Sequence, residues 1–198
     1  MIPYKSLRLV GPQIETVLKE LSELRIQTFY DFPYLYEGHL EYEKNYLNRY
    51  LKSPRSFFFG LWDQNQLIGA TTGLPLIDED PSFHNSIVDV QSVYYFGESL
   101  LLPKYRGQKI GHLFFDEREA FAVKNNNFKI TCFCSVIRPA DHPLRPLNYR
   151  PHDLFWQKRG YQKQNQWLTQ MSWQDRNEKS ETFKTLQFWM KDWTSNDI

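Results

Sequence analysis

Apolar positions along this chain follow two periods. From Gly11 the spacing Ile14, Val17, Leu18, Leu21 and Leu24 predicts an amphipathic helix, with Pro12 tolerated in its first turn. A second helix is predicted in 40–53. Leu40, Leu47 and Leu51 lie on one side of it, and Tyr42, Tyr46 and Tyr50 form another stripe, read as core or rim packing. The period then shortens. A short apolar start lies around Leu7 to Val10, and the runs 56–62 and 66–77, joined by Asp63, Gln64 and Asn65, predict a tight antiparallel pair. After a loop over 78–86, the run 93–102 reads as one strand with Tyr94, Phe96, Glu98, Leu100 and Leu102 on one face.

A turn follows, then a helix with Ile110, Leu113, Phe114, Ala120 and Phe121 on its core face and Asn125 to Asn127 as its stop. Residues 128–137 read as a strand. A polar loop holding Pro139, Pro143, Pro146 and Pro151 leads to a short helix over 152–161, with Gly160 as its C-cap glycine. Two strands, 166–173 and 184–193, close the order. The strand-helix-strand unit over 93–137 implies a right-handed crossover and local parallel pairing, while the hairpins are antiparallel. The expected class is α/β, a mixed sheet with helices on its faces.

The 198 residues suit one domain, 1–198, and the aromatic share of 17% means that rings supply much of the contact area. A formal net charge of +1 gives no field to attract a polyanion, which argues against nucleic acid as a partner. No leader pattern or membrane-length apolar run appears, so a soluble, cytoplasmic protein is expected. Cys132 and Cys134 share one strand face about 6.6 Å apart. That geometry suits two small buried thiols better than a disulfide. The five histidines show no metal-ligand spacing with them, and there is no Gly-x-Ser-x-Gly elbow.

The stretch Leu101 to His112 carries the most chemistry. A strand runs into Pro103, then Arg106-Gly107-Gln108-Lys109-Ile110-Gly111 opens a helix, whose first amides and partial positive charge can hold an anion by backbone alone. By spacing alone the same residues also fit an ordinary strand-to-helix turn. In its setting the stretch resembles the coenzyme A motif of the GNAT superfamily of N-acetyltransferases, Arg/Gln-x-x-Gly-x-Gly/Ala after hydrophobic-x-Pro. Arg106, Gly111 and Leu101-x-Pro103 match, and Lys109 stands where the middle glycine is usual. Downstream, Gly160-Tyr161 closes a short helix as in that family, and the element order agrees along nearly the whole chain.

The resemblance implies a mostly antiparallel central sheet with helices on both faces and a strand-turn-helix motif that holds acetyl-CoA. Amides of Arg106, Gly107, Gln108, Lys109, Ile110, Gly111 and His112 would take the pyrophosphate. Backbone of Leu100, Leu101 and Leu102 would pair with the pantetheine arm, and Phe155 and Trp156 would flank the thiol. Trp156 stands where many members have a tyrosine acid, so either Tyr149 serves or the thiolate leaves unassisted. The resemblance implies acetyl transfer to the amine of a small molecule or protein, with a homodimer left open.

An amine acceptor must lose a proton. Glu98 is the first candidate base, weighed equally against a structural ion pair, with His142 and Asp141 second; Glu117 reads as a paired structural carboxylate. Arg138, Arg145 and Arg150 are candidate anion binders or plain loop charges. The aromatic segment Phe29 to Tyr36, with Phe32 and Tyr34, lies between the first two helices where the family forms its acceptor wall, and packing of those helices is its other reading. Two other readings compete: a catalytically silent acyl-CoA sensor or scaffold of the same fold, and an interaction domain that holds no cofactor.

Overall fold

A computed structural model describes residues 3–84 and 89–194; the predicted 78–86 loop runs beyond them at residues 85–86. Strand β1 (Lys5–Val10) leads through a 3-10 segment (Gly11–Val17) into α1 (Leu18–Phe29), followed by α2 (Leu40–Lys52). β2 (Phe57–Asp63) and β3 (Gln66–Pro75) form the predicted hairpin. β4 (Val93–Tyr95) and β5 (Ser99–Leu101) come next. Then α3 (Ile110–Glu119) continues into a π-helical turn (Ala120–Asn125), β6 (Ile130–Val136), α4 (Asp153–Lys158), β7 (Gln162–Trp173) and β8 (Thr182–Asp192). The sheet runs β1-β2-β3-β4-β6-β8-β7, with β5 also on β3. Only the β4–β6 pair is parallel among these pairings. The mixed, mostly antiparallel sheet expected from the sequence is therefore the one observed.

Alternation along β3 sends its neighbours to opposite layers. The Thr72 hydroxyl meets Tyr50 of α2, while the position of Gly69 faces Phe114 of α3. Helices thus lie on both faces. The buried stripe of α2 is Glu43, Leu47 and Tyr50, one residue from each predicted stripe plus Glu43, whereas Leu40 is 48% exposed. Ile14, Val17, Leu21 and Leu24 are all buried as their spacing predicts. In α3 the inner face is Ile110, Phe114, Phe115 and Arg118.

The largest departure concerns the run 93–102, which is two strands. Two residues of β3, Thr72 and Gly73, face three of this run, Phe96, Gly97 and Glu98, which is a β-bulge. The Gly97 amide donates to the Thr72 carbonyl at 3.2 Å, and the Thr72 amide to the Glu98 carbonyl at 3.1 Å. Before the bulge β4 pairs with Ile130–Cys132 of β6, ending in a bond from the Phe96 amide to the Cys132 carbonyl at 2.7 Å. After it, β5 stays on β3 while β6 continues along β8. The sheet opens between them.

Candidate active site

The opening exposes one edge of β5. Glu98 and Leu102 bond inward to Thr72 and Ile68, so by the alternation of an antiparallel ladder Ser99 and Leu101 turn their backbone groups outward. Leu100 points its backbone to β3 with them. Arg106 Nε rests on the outward Leu101 carbonyl at 3.2 Å.

At the end of β5, Gly107 sits at φ +81° and Lys109 at φ +64°, both left-handed. Lys109 adopts the conformation a glycine would, at a cost of roughly 1 kcal/mol for a side chain. It is also the N-cap of α3, with no side-chain cap bond. The Arg106 and His112 amides, expected in the same cradle, donate instead to the Pro103 and Lys109 carbonyls at 3.1 and 3.0 Å, while those from Gly107 to Gly111 donate to no acceptor among the described residues, which leaves five N–H groups of one turn without a protein partner. Gln108 is tied to Tyr4 by a 3.0 Å bond, and His112 stacks edge-on to Phe155. A Cβ at Gly107 would meet nothing within 4 Å, so the turn is open on that side and the glycine serves its positive φ rather than a close contact.

The two glycines should therefore respond oppositely. Gly107→Ala should lose about 1 kcal/mol through its positive φ. Gly111→Ala places its Cβ 3.7 Å from Phe155, an ordinary contact, and should gain about 0.5 kcal/mol as helix propensity. Urea unfolding of both variants measures this; equal losses would contradict it.

Helix α4 packs on the same turn. Phe155 lies against Phe115, and Trp156 turns inward against Phe133 and Trp189. Gly160, at φ +87°, ends it as expected.

At the bulge, the Glu98 side chain is buried. One carboxylate oxygen accepts from Arg25 Nη1; the other accepts from Thr72 Oγ1 and from Tyr50 Oη at 2.7 Å. Arg25 Nε also donates to Glu43, so one guanidinium bridges two buried carboxylates. Arg118 donates to the Glu98 carbonyl at 3.1 Å, and burial between Phe96 and Phe115 pulls its guanidinium down to about 10. Above Glu98 lies a cavity of about 70 Å³ walled by Phe29, Tyr34, Tyr46, Tyr95 and Trp173 among others. A larger polar groove of about 550 Å³, between α1 and the β2–β3 turn, touches none of these groups except α1.

Phe29, Tyr34 and Glu98 are thus brought together. Phe32, His142, Arg145 and Tyr149 form a second cluster outside that lining: Tyr149 is edge-on to Phe32 at 4.7 Å, and Arg145 lies over both rings. Bonds from His142, Arg145 and Tyr149 amides to Pro139, His142 and Pro146 carbonyls order this loop. Arg138 departs from its expected anion-binding role: it clamps the Pro33 and Tyr34 carbonyls to Asp175. It therefore fixes the Pro33–Tyr34 backbone against Asp175. Glu117 pairs with Arg8 at 2.6 Å. Tyr36 lines the cavity with Phe29 and Tyr34, Tyr42 and Tyr46 line it although their stripe reads as packing, and Arg25, Tyr95 and Trp173 line it with no signal in the sequence.

Cys134 also lines the cavity, and both cysteines are free thiols. Burial pushes the Cys134 thiol well up. Alkylation by iodoacetamide at pH 8 should run more than about tenfold slower than for a free thiol; a rate equal to that of free cysteine would contradict the assignment.

The fold that carries these features has known counterparts. The chain superposes with a TM-score of 0.61 on ribosomal-protein-alanine N-acetyltransferase from Brucella melitensis, at 12% identity over 94% of this chain and 99% of that one. It has the GNAT acetyltransferase fold. The GNAT loading domain of CurA from Lyngbya majuscula gives 0.61 at 13% identity, covering 98% and 100%. PaiA N-acetyltransferase from Thermoplasma acidophilum, in complex with coenzyme A, gives 0.56 at 16% identity, covering 96% and 99%. No protein-family model and no curated protein matches the sequence. Among the described residues this GNAT fold has no cluster of potential metal ligands and no helix long and apolar enough to cross a membrane.

Proposed function

We propose that this chain is an acetyl-CoA-dependent N-acetyltransferase that transfers the acetyl group directly to an amine in a ternary complex. The observation that carries the reading is the arrangement along one opening: unpartnered turn amides at one end, an outward strand edge in the middle, and the Glu98 cavity at the bulge. What supports coenzyme A at this turn is the set of amides from Gly107 to Gly111 that have no partner among the described residues. Acetyl-CoA would supply an acyl group activated as a thioester.

The turn amides would hold the pyrophosphate with the positive end of α3 behind them. Ser99 and Leu101 would pair with the pantetheine arm as an added strand, and an outward N–H there would polarise the acyl carbonyl. Glu98 would draw the amine into the cavity and take or relay its proton through the oxygen that accepts only from Arg25. Tyr149 is a phenol raised above its usual range, first by burial, and so a weak donor to a thiolate that is stable near pH 8.5. The thiolate therefore leaves unassisted. Tyr149→Phe should leave turnover within about threefold; a larger fall would make Tyr149 the acid.

Trp156, an indole that cannot act as an acid, favours the second reading of a silent acyl-CoA sensor. Thermal unfolding with acetyl-CoA tests both, since a ligand at 100 times its Kd adds about 2.7 kcal/mol. A shift with thiol release in the presence of amines supports the enzyme, a shift without release supports the sensor, and no shift at millimolar coenzyme sinks both.

A further inference from the structure

The cavity above Glu98 is narrow, and its walls are tied down. At about 70 Å³ it has roughly half the volume of an engineered apolar cavity of about 150 Å³ that binds one benzene, so it takes about three carbon- or nitrogen-sized groups. Arg25, part of the lining, is bonded to Glu98 and lies 5.1 Å from the Phe29 ring and 4.1 Å from the Tyr46 ring. The segment 33–37, which contributes Tyr34 and Tyr36, is strapped to 173–176. The Trp173 indole and the Arg138 guanidinium donate to the Tyr34 carbonyl at 3.0 and 2.7 Å, and the Glu37 amide donates to the Gln174 carbonyl at 2.8 Å. The Tyr36 amide closes the segment back onto α1 through the Phe29 carbonyl at 2.8 Å, and the Phe29 and Tyr34 rings touch with centroids 4.3 Å apart. Tyr95 and Leu186, which also line the slot, belong to the buried core of the sheet. Widening it would break these bonds or repack that core. The buried cations Arg25 and Arg118 match the buried carboxylates Glu43 and Glu98, so selection among amines falls to shape.

We infer that the acceptor presents its nitrogen on an unbranched carbon, as a linear alkylamine or the end of a lysine side chain does, and that amines branched at the carbon bearing the nitrogen are refused. This rests on the acetyl-transfer reading and names its substrate class. In a linear amine the nitrogen and the first two carbons fill the slot, and the rest of the molecule lies outside. A branch at the first carbon adds another group at the same depth, where close-packed walls have no room for a further methyl. Chain N-termini other than glycine carry that branch and fall on the refused side.

The test uses three isomers of one charge and composition: n-butylamine, isobutylamine, branched at the second carbon, and sec-butylamine, branched at the first. Calorimetric titration into the full chain, with and without coenzyme A, should give sec-butylamine a Kd weaker than that of n-butylamine by about 10–200-fold, the range that one methylene is worth in a hydrophobic pocket. Isobutylamine should stay within about threefold of n-butylamine, because its branch lies beyond the slot. Equal Kd values for n-butylamine and sec-butylamine overturn the inference. So does isobutylamine binding as weakly as sec-butylamine, and so does no binding of n-butylamine at tens of millimolar. Met171→Ala shortens one lining side chain and should shrink the sec-butylamine penalty by about threefold or more. An unchanged penalty in a variant that unfolds cooperatively also overturns the inference; if that variant does not fold, the wild-type series decides alone. The coenzyme-free titration reports on the slot even if acetyl-CoA fails to bind, so failure of the transfer reading and failure of this inference are separable.

Discussion

Arg25→Met should lower the unfolding free energy by about 3–5 kcal/mol, the cost of removing one partner from a buried ion pair. Arg25 holds together two carboxylates that have almost no solvent of their own, Glu43 and Glu98. Methionine keeps most of the side-chain volume between the Phe29 and Tyr46 rings, so little of the loss comes from a void. What remains is repulsion and desolvation between two carboxylates. The loss is a large part of an ordinary stability of about 5–15 kcal/mol. For a chain of this size each kcal/mol moves Tm by about 2–4 °C, so a fall on the order of 10 °C is expected. A double variant separates charge from packing. Adding Glu43→Gln to Arg25→Met should recover about 1–3 kcal/mol, because it removes one of the two stranded charges. If the two substitutions simply add their losses in urea unfolding, the ion-pair account is wrong.

That triad shows where sequence reading stops. The periodicity of α1 and α2 places Leu21, Leu24, Leu47 and Tyr50 in the core, and the amide turn before α3 is legible because glycine and proline mark it locally. Arg25, however, sits one residue past Leu24 in an ordinary-looking helix, and only the tertiary pairing of α1, α2 and the bulge shows that it is buried. The bulge itself hides in an alternating apolar run. Gly97 was its signal, since a glycine inside a strand marks a bulge or a close approach. Here it is a close approach: a Cβ at Gly97 would fall 2.0 Å from the Tyr50 hydroxyl that binds Glu98. Arg138 shows the opposite error. A guanidinium in a polar loop looks like an anion binder, but the carboxylate and carbonyls that claim it come from 33–34 and 175, far away in sequence. Lys109 shows that a left-handed position need not be glycine when the surrounding turn imposes the conformation.

Glu98→Gln should cut turnover by about 10²–10⁴ at pH 7, the usual range for a lost general base, with KM for acetyl-CoA little changed. Glutamine keeps the shape and its oxygen can still accept from Tyr50 and Thr72, but its NH2 then faces Arg25 and loses that bond, so urea unfolding of the variant is measured beside turnover. The coenzyme's phosphates would bind at the α3 turn, separate from this carboxylate, which is why KM and kcat should part company. The pH profile supplies the readout that a merely structural role would not move. On the proposed mechanism the bound ammonium would give its proton to Glu98 in the wild type. In the variant only amine already deprotonated in solution can react, so the deficit should shrink about tenfold for each pH unit up to the amine's own pKa. A deficit constant from pH 7 to 10 would assign Glu98 to structure alone, as the anchor of Arg25, and turnover unchanged at every pH would remove it from the mechanism.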